Sequence, residues 1–202
     1  MTKKILFTGG SGLLALGWSV SIRNRFNVVL GLHNRNIKLA NTSSQFIDLG
    51  LIDSLTSVIE DINPDVVIHT AALTNVEQCE RDPEMAHYVN VSLSVNVAKT
   101  CQKLRTPLVH ISTDHIFSGK LSLLDETAVP SPLNIYAQTK AEAEQKVLDI
   151  NPTTLVIRTN FYGWGTSYRR SFSDMIFYSL TKKNEIVLFD NIYYTPILIQ
   201  SL

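Results

Sequence analysis

Short, unbroken apolar runs recur along this chain, separated by longer stretches in which apolar and polar positions mix. Lys4-Ile5-Leu6-Phe7-Thr8, Asn27-Val28-Val29-Leu30-Gly31-Leu32, Asp65-Val66-Val67-Ile68-His69-Thr70, Pro107-Leu108-Val109-His110-Ile111-Ser112 and Thr154-Leu155-Val156-Ile157-Arg158 are of the first kind. Runs this short, several of them β-branched, predict strands buried on both faces, as in a parallel sheet. Ser44-Gln45-Phe46-Ile47-Asp48-Leu49 predicts a third, shorter strand, and Glu185-Ile186-Val187-Leu188-Phe189 a late one. The intervening segments predict helices. They run from the first glycine turn to about Arg25, from about Leu51 to Ile62 where Asn63-Pro64 stops it, from Glu84 to about Leu104, from Pro132 onward through Tyr136, and from Phe172 to Leu180. Strand and helix in alternation predict an α/β fold, a doubly wound parallel sheet with helices on both faces.

The first strand runs into Gly9-Gly10-Ser11-Gly12-Leu13-Leu14-Ala15, with G-x-x-G-x-x-A spacing. Strand, glycine turn and helix together suit a pyrophosphate, because glycines admit the backbone and the helix N-terminus offers free N–H groups. The second strand ends in His33-Asn34-Arg35-Asn36. An NAD site usually places a carboxylate there for the ribose 2′-hydroxyl; its absence, with donors on Asn34 and Arg35, favours a 2′-phosphate and hence NADP(H), with NAD(H) as the alternative. The small Ala71 and Ala72 end the strand through His69 and let a cofactor cross it; His69 itself reads as a satisfied core histidine. Thr113 ends the strand through Ser112, facing the ligand crevice of such a sheet. Tyr136 and Lys140 lie one helical turn apart. A lysine beside a tyrosine stabilises the phenolate, so the spacing predicts a lowered phenol pKa and a proton donor. Tyr178 and Lys182 share that spacing without the preceding elements.

Composition narrows the classes of partner. Formal net charge is zero over 202 residues, which points away from nucleic acid and anionic membranes. No segment is long and apolar enough to span a bilayer, and Met1-Thr2-Lys3-Lys4 is too short to open a signal peptide, so a cytoplasmic protein is expected. Cys79 and Cys101 are expected as free thiols, and no metal-ligand spacing is present. The apolar tail Thr195-Pro196-Ile197-Leu198-Ile199-Gln200-Ser201-Leu202 reads as the start of a further element.

These pieces, in this order, resemble the extended short-chain dehydrogenase/reductases and, within them, the dTDP-4-dehydrorhamnose reductase group. The resemblance rests on Thr8-Gly9-Gly10-Ser11-Gly12-Leu13-Leu14, His69-Thr70-Ala71-Ala72-Leu73-Thr74-Asn75-Val76-Glu77, Val89-Asn90, Ser112-Thr113-Asp114-His115, Tyr136 with Lys140, Arg158-Thr159, and Asp190-Asn191 with Thr195-Pro196. It implies a Rossmann-type domain over residues 1–160 and part of a substrate-binding lobe over residues 161–202. It also implies hydride transfer to C4 of a 4-keto-6-deoxy sugar nucleotide. Thr113 would bind the substrate carbonyl, Tyr136 donate the proton, and Lys140 hold the nicotinamide ribose. Gly9, Ser11, Gly12, Leu13, Leu14, Asn34, Arg35, Asp48, Leu49, Ala71, Ala72 and Asn90 would complete the cofactor site; Val76, Asp114, His115 and Phe161 would face the sugar. A homodimer is the expected assembly.

The family usually carries tyrosine where His115 stands and aspartate where Ser118 stands, which bears on the choice of sugar. Dehydratases of the superfamily follow the threonine with an Asp-Glu pair; here Asp114 is followed by His115, which disfavours dehydration. Epimerases remain an alternative. So does a non-catalytic role like that of the methionine adenosyltransferase beta subunit, which shares the fold.

Overall fold

The computed structural model describes residues 2–190 and 194–202; Asn191 lies outside the described residues. Six parallel strands form one sheet: β1 (Lys4–Thr8), β2 (Asn27–Leu32), β3 (Ser43–Phe46), β4 (Val66–His69), β5 (Leu108–Ser112) and β6 (Leu155–Arg158). Their spatial order is β3-β2-β1-β4-β5-β6. The order reverses between β1 and β4, and a crevice opens at the carboxyl ends of those two strands. Thr8 sits in register with Gly31 on one side and His69 on the other.

Alternation along β1 builds both faces of the core. Leu6 points to one face, where it packs with Val29, Leu55, Ile59, Val67, Val97 and Cys101. Ile5 and Phe7 point to the other, against Ala15, Val28 and Leu30. Helix α1 (Leu13–Ile22), apolar nearly all round, lies on that second face; α2 (Ile52–Ile62) and α5 (Leu93–Leu104) cover the first. Both cysteines are free and buried, and burial pushes the Cys101 thiol up to about 12.

Three elements depart from the expected pattern. A short helix α3 (Val76–Arg81) precedes α4 (Pro83–His87); the Asn75 side chain caps α3, accepting from Gln78 N at 2.7 Å. The long helix expected from Glu84 to Leu104 is interrupted by a π-helical turn over Tyr88–Ser92. The extra backbone residue in that turn turns Asn90 inward, and α5 follows it. The strand expected at Glu185–Phe189 does not form, because among the described residues no strand lies beside it to pair with: Val187 is 97% exposed and Phe189 81% exposed.

Helix α6 (Ile135–Ile150) opens at Asn134, whose side chain accepts from Ala137 N at 2.8 Å. The buried Glu144 carboxylate pairs with Arg158 at 2.8 Å, tying α6 to the end of β6. Beyond the main sheet, β7 (Phe161–Tyr162) pairs in parallel with β8 (Ile197–Leu198), and α7 (Phe172–Lys182) lies between them in sequence. Among the described residues no helix is long and apolar enough to cross a membrane.

Candidate active site

The carboxyl ends of β1, β2, β4 and β5 open into one cleft of about 1360 Å³. Gly9, Ser11, Gly12, Leu13 and Leu14 line one end. Gly9 takes φ +68°, a conformation that favours glycine, and a Cβ there would stand 2.7 Å from the Ala71 backbone. The first-turn amides of α1 have no intrahelical partners. A glycine cradle ending in a free helix N-terminus fits the diphosphate of a dinucleotide. Asn34, Arg35, Asp48 and Leu49 line the same end, and Ala71 and Ala72 the floor. The Asp48 carboxylate accepts from Gly50 N at 2.8 Å, which holds the turn after β3. The Arg35 guanidinium lies 3.9 Å above the Tyr168 ring.

Thr113, His115, Tyr136, Lys140, Val76 and Phe161 line the other end. The Tyr136 ring meets His115 edge-on at 5.9 Å. Burial is the largest influence on the Tyr136 phenol and pushes it up, outweighing the lowering effect of the nearby Thr113 hydroxyl. The expectation of a phenol drawn down by Lys140 is therefore corrected: the lysine's bonds go elsewhere. Lys140 is 3% exposed; its Nζ donates to the Ile111 carbonyl at 2.7 Å and lies 3.4 Å from His110 Nε2. Burial lowers Lys140 to about 8.

Behind Lys140 the rings of His69 and His110 stack at 5.4 Å. Ser94 Oγ donates to the Asn90 carbonyl at 2.7 Å, so it accepts from His69 Nε2 at 3.0 Å; His69 Nδ1 then accepts from Thr8 Oγ1 at 2.6 Å. This makes His69 a satisfied, neutral core residue, lowered by burial to about 3.

Two expected contact residues lie outside the cleft lining. Asn90 is fully buried behind the wall. Its Oδ1 accepts from Leu73 N at 2.8 Å, and its Nδ2 donates to Leu73 O at 3.1 Å and Thr139 Oγ1 at 3.0 Å. With both ends of the amide engaged, Asn90 braces the loop after β4 rather than meeting a cofactor. The Asp114 carboxylate faces Thr113 Oγ1 at 3.4 Å and Asn160 Nδ2 at 3.5 Å; it supports Thr113 from beside the cleft. The cleft also takes in Asn160, Tyr168 and Arg169, which the sequence reading did not single out. No spacing flags them, because they come from the segment after β6, far along the chain from the glycine turn.

The RmlD substrate binding domain family model matches residues 3–202. The chain is 35% identical to a dTDP-4-dehydrorhamnose reductase of Mycolicibacterium smegmatis, covering 79% of this chain and 46% of that protein. It is 33% identical to the methionine adenosyltransferase 2 subunit beta of Xenopus tropicalis, covering 77% of this chain and 46% of that one. The chain thus spans about half the length of these curated relatives. Among solved structures it resembles a dTDP-4-dehydrorhamnose reductase from Bacillus anthracis in complex with NADP, with a TM-score of 0.74 and 29% identity over 93% of this chain and 62% of that one.

Proposed function

The chain belongs to the RmlD substrate binding domain family, and from that membership we propose that it is an NADP(H)-dependent reductase of a nucleotide-activated 4-keto-6-deoxy sugar. One observation carries the reading. A glycine cradle with free helix amides and a Thr113–Tyr136–Lys140 group occupy opposite ends of a single cleft. In this reading residues 1–160 hold the cofactor, and residues 161–202 begin the sugar-binding region.

The assigned roles follow from the chemistry at each atom. Thr113 Oγ1 holds the ketone oxygen by a hydrogen bond. Tyr136, protonated because burial raises it, donates its proton to that oxygen as charge develops. When bound, the reduced nicotinamide supplies the hydride to C4. Lys140, its ammonium fixed on the Ile111 carbonyl, directs its remaining N–H bonds to the nicotinamide ribose. Arg35 and Asn34 donate to the 2′-phosphate, the charge-assisted contact that selects NADP(H). Val76, His115 and Phe161 face the sugar.

A second reading has one specific observation behind it: the similarity to a methionine adenosyltransferase beta subunit favours a partner-binding role. The test is turnover of dTDP-4-keto-6-deoxy sugars by the protein with NADPH, followed at the nicotinamide absorbance. One NADPH oxidised per alcohol formed is expected. Isomer exchange without net oxidation would instead indicate an epimerase. No chemistry, with a stoichiometric enzyme partner recovered by pull-down, would indicate the regulatory role.

A further inference from the structure

A strap over residues 165–171 crosses the cleft. It is built, not loose: Gly165 N and Ser171 N both donate to the buried Asp174 carboxylate, at 2.8 and 2.7 Å. Thr166 and Arg169 form an antiparallel bridge between these two anchors. Two side chains leave the turn toward opposite banks of the crevice. Tyr168 Oη donates to the Ser11 carbonyl in the glycine turn at 2.6 Å, and the Tyr168 ring carries the Arg35 guanidinium. Arg169 reaches the other bank, where Nη2 donates to Thr74 Oγ1 after β4 at 3.1 Å. The banks are the ends of β1 and β4, the strands that flank the point where the sheet order reverses. A dinucleotide crosses such a sheet at that point.

We propose that this strap is a clasp over the diphosphate of the bound dinucleotide, with Arg169 as its phosphate-facing cation and Tyr168 as its latch. The inference rests on the dinucleotide-binding reading above and adds a cofactor subsite outside the Rossmann sheet. Three features make the strap a roof and not a plug. Tyr168 takes a carbonyl of the glycine turn and leaves the α1 amides at Leu13 and Leu14 facing the cleft. The attachments reach both banks of the crevice, and Tyr168 and Arg169 both line the cleft. Arg169 lines that cleft, is bonded there to a neutral hydroxyl, and forms no ion pair among the described residues. A guanidinium so placed suits a diphosphate. Tyr168 has a second effect: its ring carries the Arg35 guanidinium at 3.9 Å, and that stacking leaves the guanidinium edge free to donate.

Stopped-flow release of NADPH and of NADH, read by nicotinamide fluorescence, tests the clasp. Arg169→Gln should release both cofactors about tenfold faster or more, because the diphosphate is common to both. Arg169→Lys should recover part of that loss. Tyr168→Ala should also speed release, with the larger effect on NADPH because Arg35 loses its support. Release at the wild-type rate in both Arg169→Gln and Tyr168→Ala would overturn the clasp while leaving the reductase reading intact. Faster association with unchanged release would show a plug and overturn it too. A wild-type protein that gives no saturable signal with either cofactor would refute the reductase reading and the clasp together.

Discussion

At the scale of the residue, the proposed reduction turns on one phenol. Tyr136 is pushed up by burial, so at neutral pH it carries the proton that the proposed ketone reduction consumes. Tyr136→Phe is expected to lower turnover by about a hundred- to ten-thousand-fold, the usual contribution of general acid catalysis, with cofactor affinity nearly unchanged. Tyr178→Phe is the internal control. Its lysine lies at the same spacing, but Tyr178 is on exposed α7 against Arg170, outside the cleft. Steady-state rates for both variants decide the assignment, and wild-type turnover in Tyr136→Phe would sink it. In the proposed function Arg35 carries the cofactor choice. Charge-assisted bonds are worth roughly 1.5–3 kcal/mol, so Arg35→Ala should weaken NADPH by about tenfold or more and hardly alter NADH. Titrating both cofactors shows this; an equal loss for the two would mean that Arg35 does not read the phosphate.

Elements place these residues through contacts distant in sequence. The π turn at Tyr88–Ser92 directs Asn90 into the wall, where its amide clasps both the N–H and the C=O of Leu73. That clasp fixes the loop carrying Ala71, Ala72 and Thr74, the floor and far bank of the cleft. Asn90→Leu keeps the branching but leaves the Leu73 N–H unpaired and its carbonyl with only the weak Cys79 thiol donor, at a cost of about 1–3 kcal/mol. A lower urea midpoint is expected, together with a raised KM for the cofactor and a smaller change in kcat. If Asn90→Leu instead lowers kcat with KM unchanged, the residue acts at the chemistry and not through the loop.

The whole molecule keeps an unusual set of bases inside its sheet. His69 is lowered to about 3, His110 well below its ordinary value, and Lys140 to about 8, each chiefly by burial. The charge beside Lys140 is that of Glu144, itself paired with Arg158. For all three bases the folded pKa lies below the unfolded one, so between the two values the unfolded chain binds more protons and stability rises with pH. Stability should therefore fall on acidification from about 6.5 toward 3, as the histidines are forced to charge. It should climb between about 8 and 9, where the unfolded chain still holds the proton that folded Lys140 has released, and level off above 9, where the unfolded chain loses the Cys101 proton that the folded chain keeps. Urea unfolding across that range measures both limbs. Lys140→Met should raise stability near neutrality and flatten the alkaline limb; an unchanged alkaline slope would mean that Lys140 stays solvated.

What the sequence determined by itself is what depends on neighbours along the chain. The five apolar runs predict five of the six parallel strands, the glycine turn the phosphate cradle, and Asn63-Pro64 the end of α2, because each is a local preference of backbone and side chain. The tertiary structure alone decided matters that depend on what lies alongside. It separated Tyr136 from Tyr178, identical in spacing but unlike in burial, and it left Glu185–Phe189 without a partner strand. It turned Lys140 toward the Ile111 carbonyl, and burial raised the phenol that local spacing would have lowered. It moved Asn90 from the cofactor to the wall, and it carried Tyr168 and Arg169 back across the chain to the first glycine turn. Desolvation and long-range pairing set these outcomes, and neither is written in the spacing of residues.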